Sequence, residues 1–210
     1  MNARAAPRAR GRGRSRGASV RRRAFAVLVI AGLVVAGVAV VAPMLHRAVR
    51  EVTLPLRHED IIRQQARDKR LDPALVAGVI FAESKFRDQT SATGAKGLMQ
   101  IQPETAKFIA RRSGGAAFEI ADLGTPQINI QYGTYYLRYL LDRYGENVVR
   151  AVAAYNGGET NVDRWIAESG RRGKAFKIND IPFPETRAYV NRVLDAERDY
   201  RREYRSELGL

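Results

Sequence analysis

Nineteen consecutive residues, AFAVLVIAGLVVAGVAVVA from Ala24 to Ala42, contain no charge and no strongly polar group. As a helix this run rises about 28 Å at ~1.5 Å per residue, close to the ~30 Å hydrocarbon thickness of a bilayer. A core helix of a soluble protein is a poor match, because no polar face exists to meet water. A secretory signal peptide is the nearer competitor, but its apolar region is ordinarily ~7–15 residues. Pro43 directly follows Ala42 and disfavours cleavage there; Gly37-Val38-Ala39 is a weaker cleavage site. The run is expected to be an uncleaved membrane anchor.

The charge distribution orients that anchor. The 210-residue chain carries a net charge of +14, which by itself suggests a nucleic-acid binder. Nine of those charges are arginines in residues 1–23, where there is no acid, and two more are Arg47 and Arg50, leaving only +3 for residues 51–210. An Arg-rich segment beside an apolar span is the signature of a cytoplasmic N-terminus. The rest of the chain is then expected on the other side of that membrane, outside the cytoplasm. Nucleic acid is not an expected partner; deleting residues 1–23 should change topology and leave the function of residues 51–210 intact. Cysteine is absent, which excludes a disulfide framework and any thiolate nucleophile or ligand. His46 and His58 have no ligand partners at useful spacing, so neither a metal site nor a cofactor is expected.

After the anchor, residues 43–56 read as a linker punctuated by Pro43 and Pro55, and residues 57–210 as one folded domain. Its pattern is helical throughout. A polar helix is expected from His58 to Lys69. Asp72-Pro73 is a cap followed by proline at the first helical position, opening a helix through Glu83. Gly94 to Gln102 reads as a tight passage, and Pro103 opens a helix ending before Gly114-Gly115. Thr125-Pro126 opens a long helix ending near Gly145. Asn147 to Tyr155 and Glu159 to Glu168 are two more, and Pro184 introduces the last, to about Tyr204.

Glu83 stands out within this pattern. Leu75, Val76, Val79 and Ile80 mark an apolar stripe, and Glu83, three residues beyond Ile80 and seven beyond Val76, continues it. A carboxylate there must be partnered or have its pKa raised by desolvation. One outcome is a helix-end glutamate paired with Lys85, Arg87 or Lys96. The other is a general acid protonated near neutral pH, of the kind glycosidic cleavage requires.

Five segments, in order, bear on that choice: ESKF at Glu83–Phe86, SATGAKGLMQIQPETA at Ser91–Ala106, PQINIQYGTYYL at Pro126–Leu137, AYNGGETNVDRW at Ala154–Trp165 and IPFPETRAYVNRV at Ile181–Val193. In this order and spacing they resemble the catalytic domain of family 1 lytic transglycosylases, which is similar to goose-type lysozyme. The resemblance covers residues 57–205. It implies an all-α, lysozyme-like domain with a cleft for peptidoglycan glycan strands. It implies cleavage of the β-1,4 bond between N-acetylmuramic acid and N-acetylglucosamine without water, leaving a 1,6-anhydromuramic acid end. Glu83 matches the family's catalytic acid, acting first as acid and then as base.

The same matching implies substrate-binding roles for Ser91, Thr93, Met99, Gln100, Tyr155, Asn156 and Tyr189. Tyr189 is expected to face Glu83, and Met99 could equally be core. Gly94 and Gly97 would let backbone approach the sugar or simply make the turn. Glu185 and Arg187 are expected to be structural, and Trp165 to be core. Gln102 departs from the family, which often has an apolar residue there. Asp88 is the nearest downstream acid that could serve as a second carboxylate. The competing readings are a muramidase that hydrolyses with water and a non-catalytic wall-binding protein.

Overall fold

A computed structural model describes residues 16–114 and 118–210, the side chains of 16–24, 26 and 31 excepted. The Arg-rich tail expected at 1–23 thus lies outside the described residues over 1–15, and its side chains lie outside throughout. The chain divides into two compact units, residues 1–50 and 51–210. The first carries all but the last three residues of α1 (Arg16–Thr53), a helix that contains Pro43 and continues through most of the segment expected as a linker. Its stretch Val27–Thr53 is long and apolar enough to cross a membrane. Large apolar side chains along it, such as Leu33 at 68% and Val35 at 68%, are exposed.

The second unit is built from eight helices among the described residues: α2 (Glu59–Lys69), α3 (Pro73–Ser84), α4 (Pro103–Ser113), α5 (Pro126–Arg143), α6 (Val148–Gly157), α7 (Glu159–Arg171), α8 (Pro184–Glu203) and α9 (Arg205–Leu208). No strand occurs among the described residues, only isolated bridges of Lys96 to Thr90 and Ile101. The helix starts obey local chemistry. Asp72 accepts the Ala74 N–H at 2.9 Å ahead of Pro73, and Asn147 accepts the Arg150 N–H at 3.0 Å, each satisfying an orphan donor of a first turn. Proline also occupies the first position of α4, α5 and α8, where its missing N–H costs nothing. Two 3-10 turns, Ile120–Gly124 and Ile178–Asp180, lie in stretches with no periodic signal, and α7 runs three residues beyond its expected end.

The helix that carries Glu83 is the centre of the fold. Residues Ala74 to Ile80 are buried on every side, not on a stripe alone. Its chief neighbour is α8. The two backbones touch at Gly78, where an added Cβ would lie 2.9 Å from the Val193 carbonyl oxygen and 3.1 Å from the Glu197 nitrogen. Only glycine permits that approach. Trp165 of α7 is 2% exposed and meets the Phe183 ring edge-on at 5.1 Å, so it is core.

Candidate active site

Central burial dictates what happens at the C-terminal end of α3. The chain leaves that helix through Lys85 and Phe86, both left-handed with φ of 52° and 60°, an uncommon conformation for residues with side chains. Phe86 is held there by burial against Tyr200. Ser84 is buried and donates to the Leu98 carbonyl at 2.7 Å, tying the helix end to the loop 89–102. Glu83, one residue earlier, is half-buried.

Glu83 does not pair with Lys85, Arg87 or Lys96. Tyr189 of α8, 2% exposed, donates its hydroxyl to Glu83 Oε1 at 2.7 Å. Arg192 lies one turn further along α8 with its guanidinium 5.8 Å from the Tyr189 ring centre. Desolvation raises the Glu83 pKa to about 7, and the Tyr189 hydrogen bond and the Arg192 charge only partly oppose it. Burial wins because it penalises the ionised form more than one donor and one exposed cation favour it. Near neutral pH the carboxyl is therefore divided between its two protonation states, and it can give up a proton or take one.

Tyr155 of α6 forms a further wall. Its hydroxyl donates to the Met99 carbonyl at 3.0 Å. Burial, reinforced by the Glu83 charge, pushes the phenols of both Tyr155 and Tyr189 well above the usual tyrosine range. Both therefore stay protonated donors. Tyr136 of α5 packs on Tyr155 at 5.4 Å between ring centres, and Tyr139 follows at 6.0 Å.

The loop 89–102 is held by a residue that the sequence reading passed over. Asn129 of α5 is 1% exposed. It accepts the Met99 N–H at 2.8 Å and donates to the carbonyls of Lys96 and Leu123, both at 2.9 Å. Its signal was present in the sequence: Asn129, Ile130, Gly133, Thr134 and Leu137 form one buried stripe. A polar residue on such a stripe needs partners, as Glu83 does.

This loop corrects one expected substrate contact. The Met99 side chain is fully buried and packs on Gly133, so it is core and not cleft lining. Gln100, left-handed at φ 47°, donates to the carbonyls of Gln89 and Gly97 at 2.9 and 2.8 Å, which spends its amide inside the loop. Gly97 is required by the protein itself, since a Cβ would fall 2.1 Å from Asn129 Nδ2. The Ser91 hydroxyl accepts the Ala95 N–H at 3.0 Å and lies 2.9 Å from the Thr93 hydroxyl, to which Gln102 donates at 3.1 Å. Gln102 thus extends a polar edge on the loop. Asn156, Asp88 and Glu185 are exposed, and Arg187 is half-exposed. Among the described residues no group of three or more His, Asp or Glu side chains is placed to hold a metal ion.

The family model for the Transglycosylase SLT domain matches residues 60–178, more than half the chain. The chain belongs to the SLT transglycosylase family. The soluble lytic murein transglycosylase of Salmonella typhimurium is 35% identical to this SLT domain over 159 residues, 72% of this chain and 24% of that protein. The membrane-bound lytic murein transglycosylase C of Actinobacillus pleuropneumoniae is 29% identical, over 67% of this chain and 44% of its own. The crystal structure of the 70 kDa soluble lytic transglycosylase of Escherichia coli superposes with a TM-score of 0.68 at 32% identity, covering 72% of this chain and 25% of that one. An inactive Glu→Gln variant of lytic transglycosylase Slt from Pseudomonas aeruginosa also gives 0.68, at 30% identity and 75% and 26% coverage. The chain spans about a quarter of the length of the soluble enzymes it matches. The lysozyme-like, all-α SLT fold is what these share.

Proposed function

We propose that this chain is a membrane-anchored lytic murein transglycosylase in which Glu83 alone supplies acid and base. The observation that carries the reading is the half-buried Glu83 carboxyl, poised near neutrality against the Tyr189 hydroxyl. In the first step protonated Glu83 gives its proton to the glycosidic oxygen, and the bond from the muramic acid anomeric carbon to that oxygen breaks. In the second, carboxylate Glu83 takes the proton from the 6-hydroxyl of the same muramic acid as its oxygen bonds to the anomeric carbon. No water enters, and the acid is regenerated.

A glycosidase ordinarily needs two carboxylates flanking the bond. The groups acting on Glu83 are a tyrosine and an arginine, which fits a site whose nucleophile belongs to the substrate. An internal nucleophile has a high effective concentration and needs no second base. The inactive Glu→Gln variant of the Pseudomonas aeruginosa relative supports dependence on one carboxyl. Tyr155 and the Ser91–Thr93–Gln102 edge are assigned to the substrate, with Asn156 exposed beside Tyr155. The span Val27–Thr53 is assigned to the membrane, arginines on the cytoplasmic side, with residues 57–210 on the wall side.

Mass spectrometry of murein digested by the full-length chain tests the chemistry. Anhydro ends, one water lighter than reducing ends, are expected. Reducing ends alone would assign the chain to hydrolysis. A Glu83→Gln variant that still cleaved strands would remove Glu83 from the reaction.

A further inference from the structure

A cavity of about 450 Å³ opens where the start of α6, the 3-10 turn Ile178–Asp180 and α8 meet. Three amide side chains line it, one from each element: Asn147 capping α6, Asn179 in the turn and Asn191 on α8. Asn147 spends its carbonyl oxygen on the Arg150 N–H, which leaves its own amide donors for a ligand. Asn179 and Asn191 are exposed, and their side chains make no hydrogen bond among the described residues. Val149 and Ile178 supply half-buried apolar surface between the amides. Among the described residues on the wall, only Lys177 is charged.

The wall is held in place before any ligand arrives. The turn is closed by the Asp180 N–H on the Lys177 carbonyl at 2.9 Å and by the Lys177 N–H on Asp180 Oδ2 at 2.7 Å. Buried Phe176 and Ile181 fasten it to the core on either side. An amide carries donors and an acceptor side by side, and so do the hydroxyl and acetamido groups of an N-acetylated sugar. Apolar surface between such groups suits the C–H face of a sugar ring. A polyanion would meet a single cation here. We infer that this cavity is a second, non-catalytic glycan site that holds N-acetylated sugars of murein. The lining sets the sugar chemistry; murein as its source rests on the function proposed above.

The cavity is separate from the Glu83 site. Asn191 follows Tyr189 by two residues, which places it about 200° around α8, on the face away from the acid. Asn147 precedes Tyr155 by eight residues, a rise of ~12 Å along α6. The sugars held here are therefore not the pair being cleaved. A strand gripped at this cavity keeps the domain on the wall between cleavages. Its occupancy bears on KM for long strands and leaves the proton chemistry alone.

Two measurements on the full-length chain, in a detergent without a sugar headgroup, test the inference. The first is calorimetric titration with a β-1,4-linked tetrasaccharide of N-acetylglucosamine, a neutral glycan without peptides. It compares the Glu83→Gln chain with the same chain carrying Asn179→Ala and Asn191→Ala. Both asparagines are exposed and unbonded, so equal melting temperatures are expected. The asparagine variant should bind one fewer tetrasaccharide per chain, or bind it at this site ~10-fold more weakly, through the loss of a few neutral hydrogen bonds. Identical isotherms, or no binding to either chain, would overturn the inference. So would a free tetrapeptide branch that binds where the sugar does not and is lost in the variant.

The second measurement restores Glu83 and compares kcat/KM on intact murein and on a soluble tetrasaccharide released from it. The asparagine variant should lose ~10-fold on intact murein, in KM, with the tetrasaccharide unchanged. An equal loss on both substrates, or none on either, overturns the inference. If the native chain cleaves neither substrate, the proposed activity fails, and the calorimetry still decides the cavity.

Discussion

Replacing Tyr189 by phenylalanine isolates the one hydrogen bond that favours ionised Glu83. The hydroxyl sits 2.7 Å from Glu83 Oε1 and holds the carboxyl pKa down, while desolvation holds it up at about 7. A hydrogen bond to a charged group contributes ~1.5–3 kcal/mol, and ~1.4 kcal/mol corresponds to one pKa unit. Losing it raises the pKa above about 7. The sign follows: the first step needs protonated Glu83, so kcat/KM falls as pH rises through this pKa. In Tyr189→Phe that alkaline limb should move up by ~1–2 pH units. The assay is the rate of anhydro-end release from purified strands between pH 5 and 10, expressed as kcat/KM. A limb that stays in place, or moves to lower pH, would refute the assignment of Tyr189 as the donor that tunes Glu83.

Other substitutions test the supporting structure. Glu83→Gln should abolish cleavage yet stabilise the fold at alkaline pH. The Glu83 pKa rises on folding from 4.5 to about 7, so its ionisation costs stability progressively across that window, up to ~3 kcal/mol above it. Denaturant midpoints of variant and native chain should agree near pH 4 and diverge by pH 8; a gap independent of pH would contradict burial as the cause. Asn129→Ala strands the Met99 N–H and two carbonyls, costing on the order of 2–4 kcal/mol in thermal unfolding, with activity lost as the loop loosens. Gly97→Ala should destabilise far more than Gly94→Ala. Both are left-handed, but only at Gly97 does a Cβ meet protein atoms within 4 Å, so equal melting temperatures would count against the close approach.

Much of the helix order is legible in the chain because its signals are local. Asp72-Pro73, Pro103, Asn147 and Pro184 each announce a first turn. The 3-10 turns at Ile120 and Ile178 are too short to show a period. Pro43 reads as a break, yet α1 continues through it, since one missing N–H and a ring clash cost only a few kcal/mol in a long helix. The site is less legible than the fold because its partnerships are distant. Glu83 has three cations nearby in sequence, but its donor comes from Tyr189, 106 residues on. Asn129 reads as an ordinary helix polar residue until its three partners, two of them about thirty residues away, are brought to it. Met99 sits among residues expected to bind substrate, yet Gly133 leaves a hollow that takes its side chain inward.

The contact at Gly78 joins α3 and α8 into one unit, to which the 89–102 loop is fastened at a few points. Glu83 and Tyr189 sit on two helices joined backbone to backbone. The edge formed by Ser91, Thr93 and Gln102 belongs to a loop pinned separately by Asn129. In the proposed reaction, reactivity belongs to the helix pair and recognition to an attachment to it. A loop of different length or composition could be grafted between Phe86 and Pro103 to change which strands are accepted, provided that Ser84 and Asn129 keep their anchor points, and the proton chemistry would remain in register.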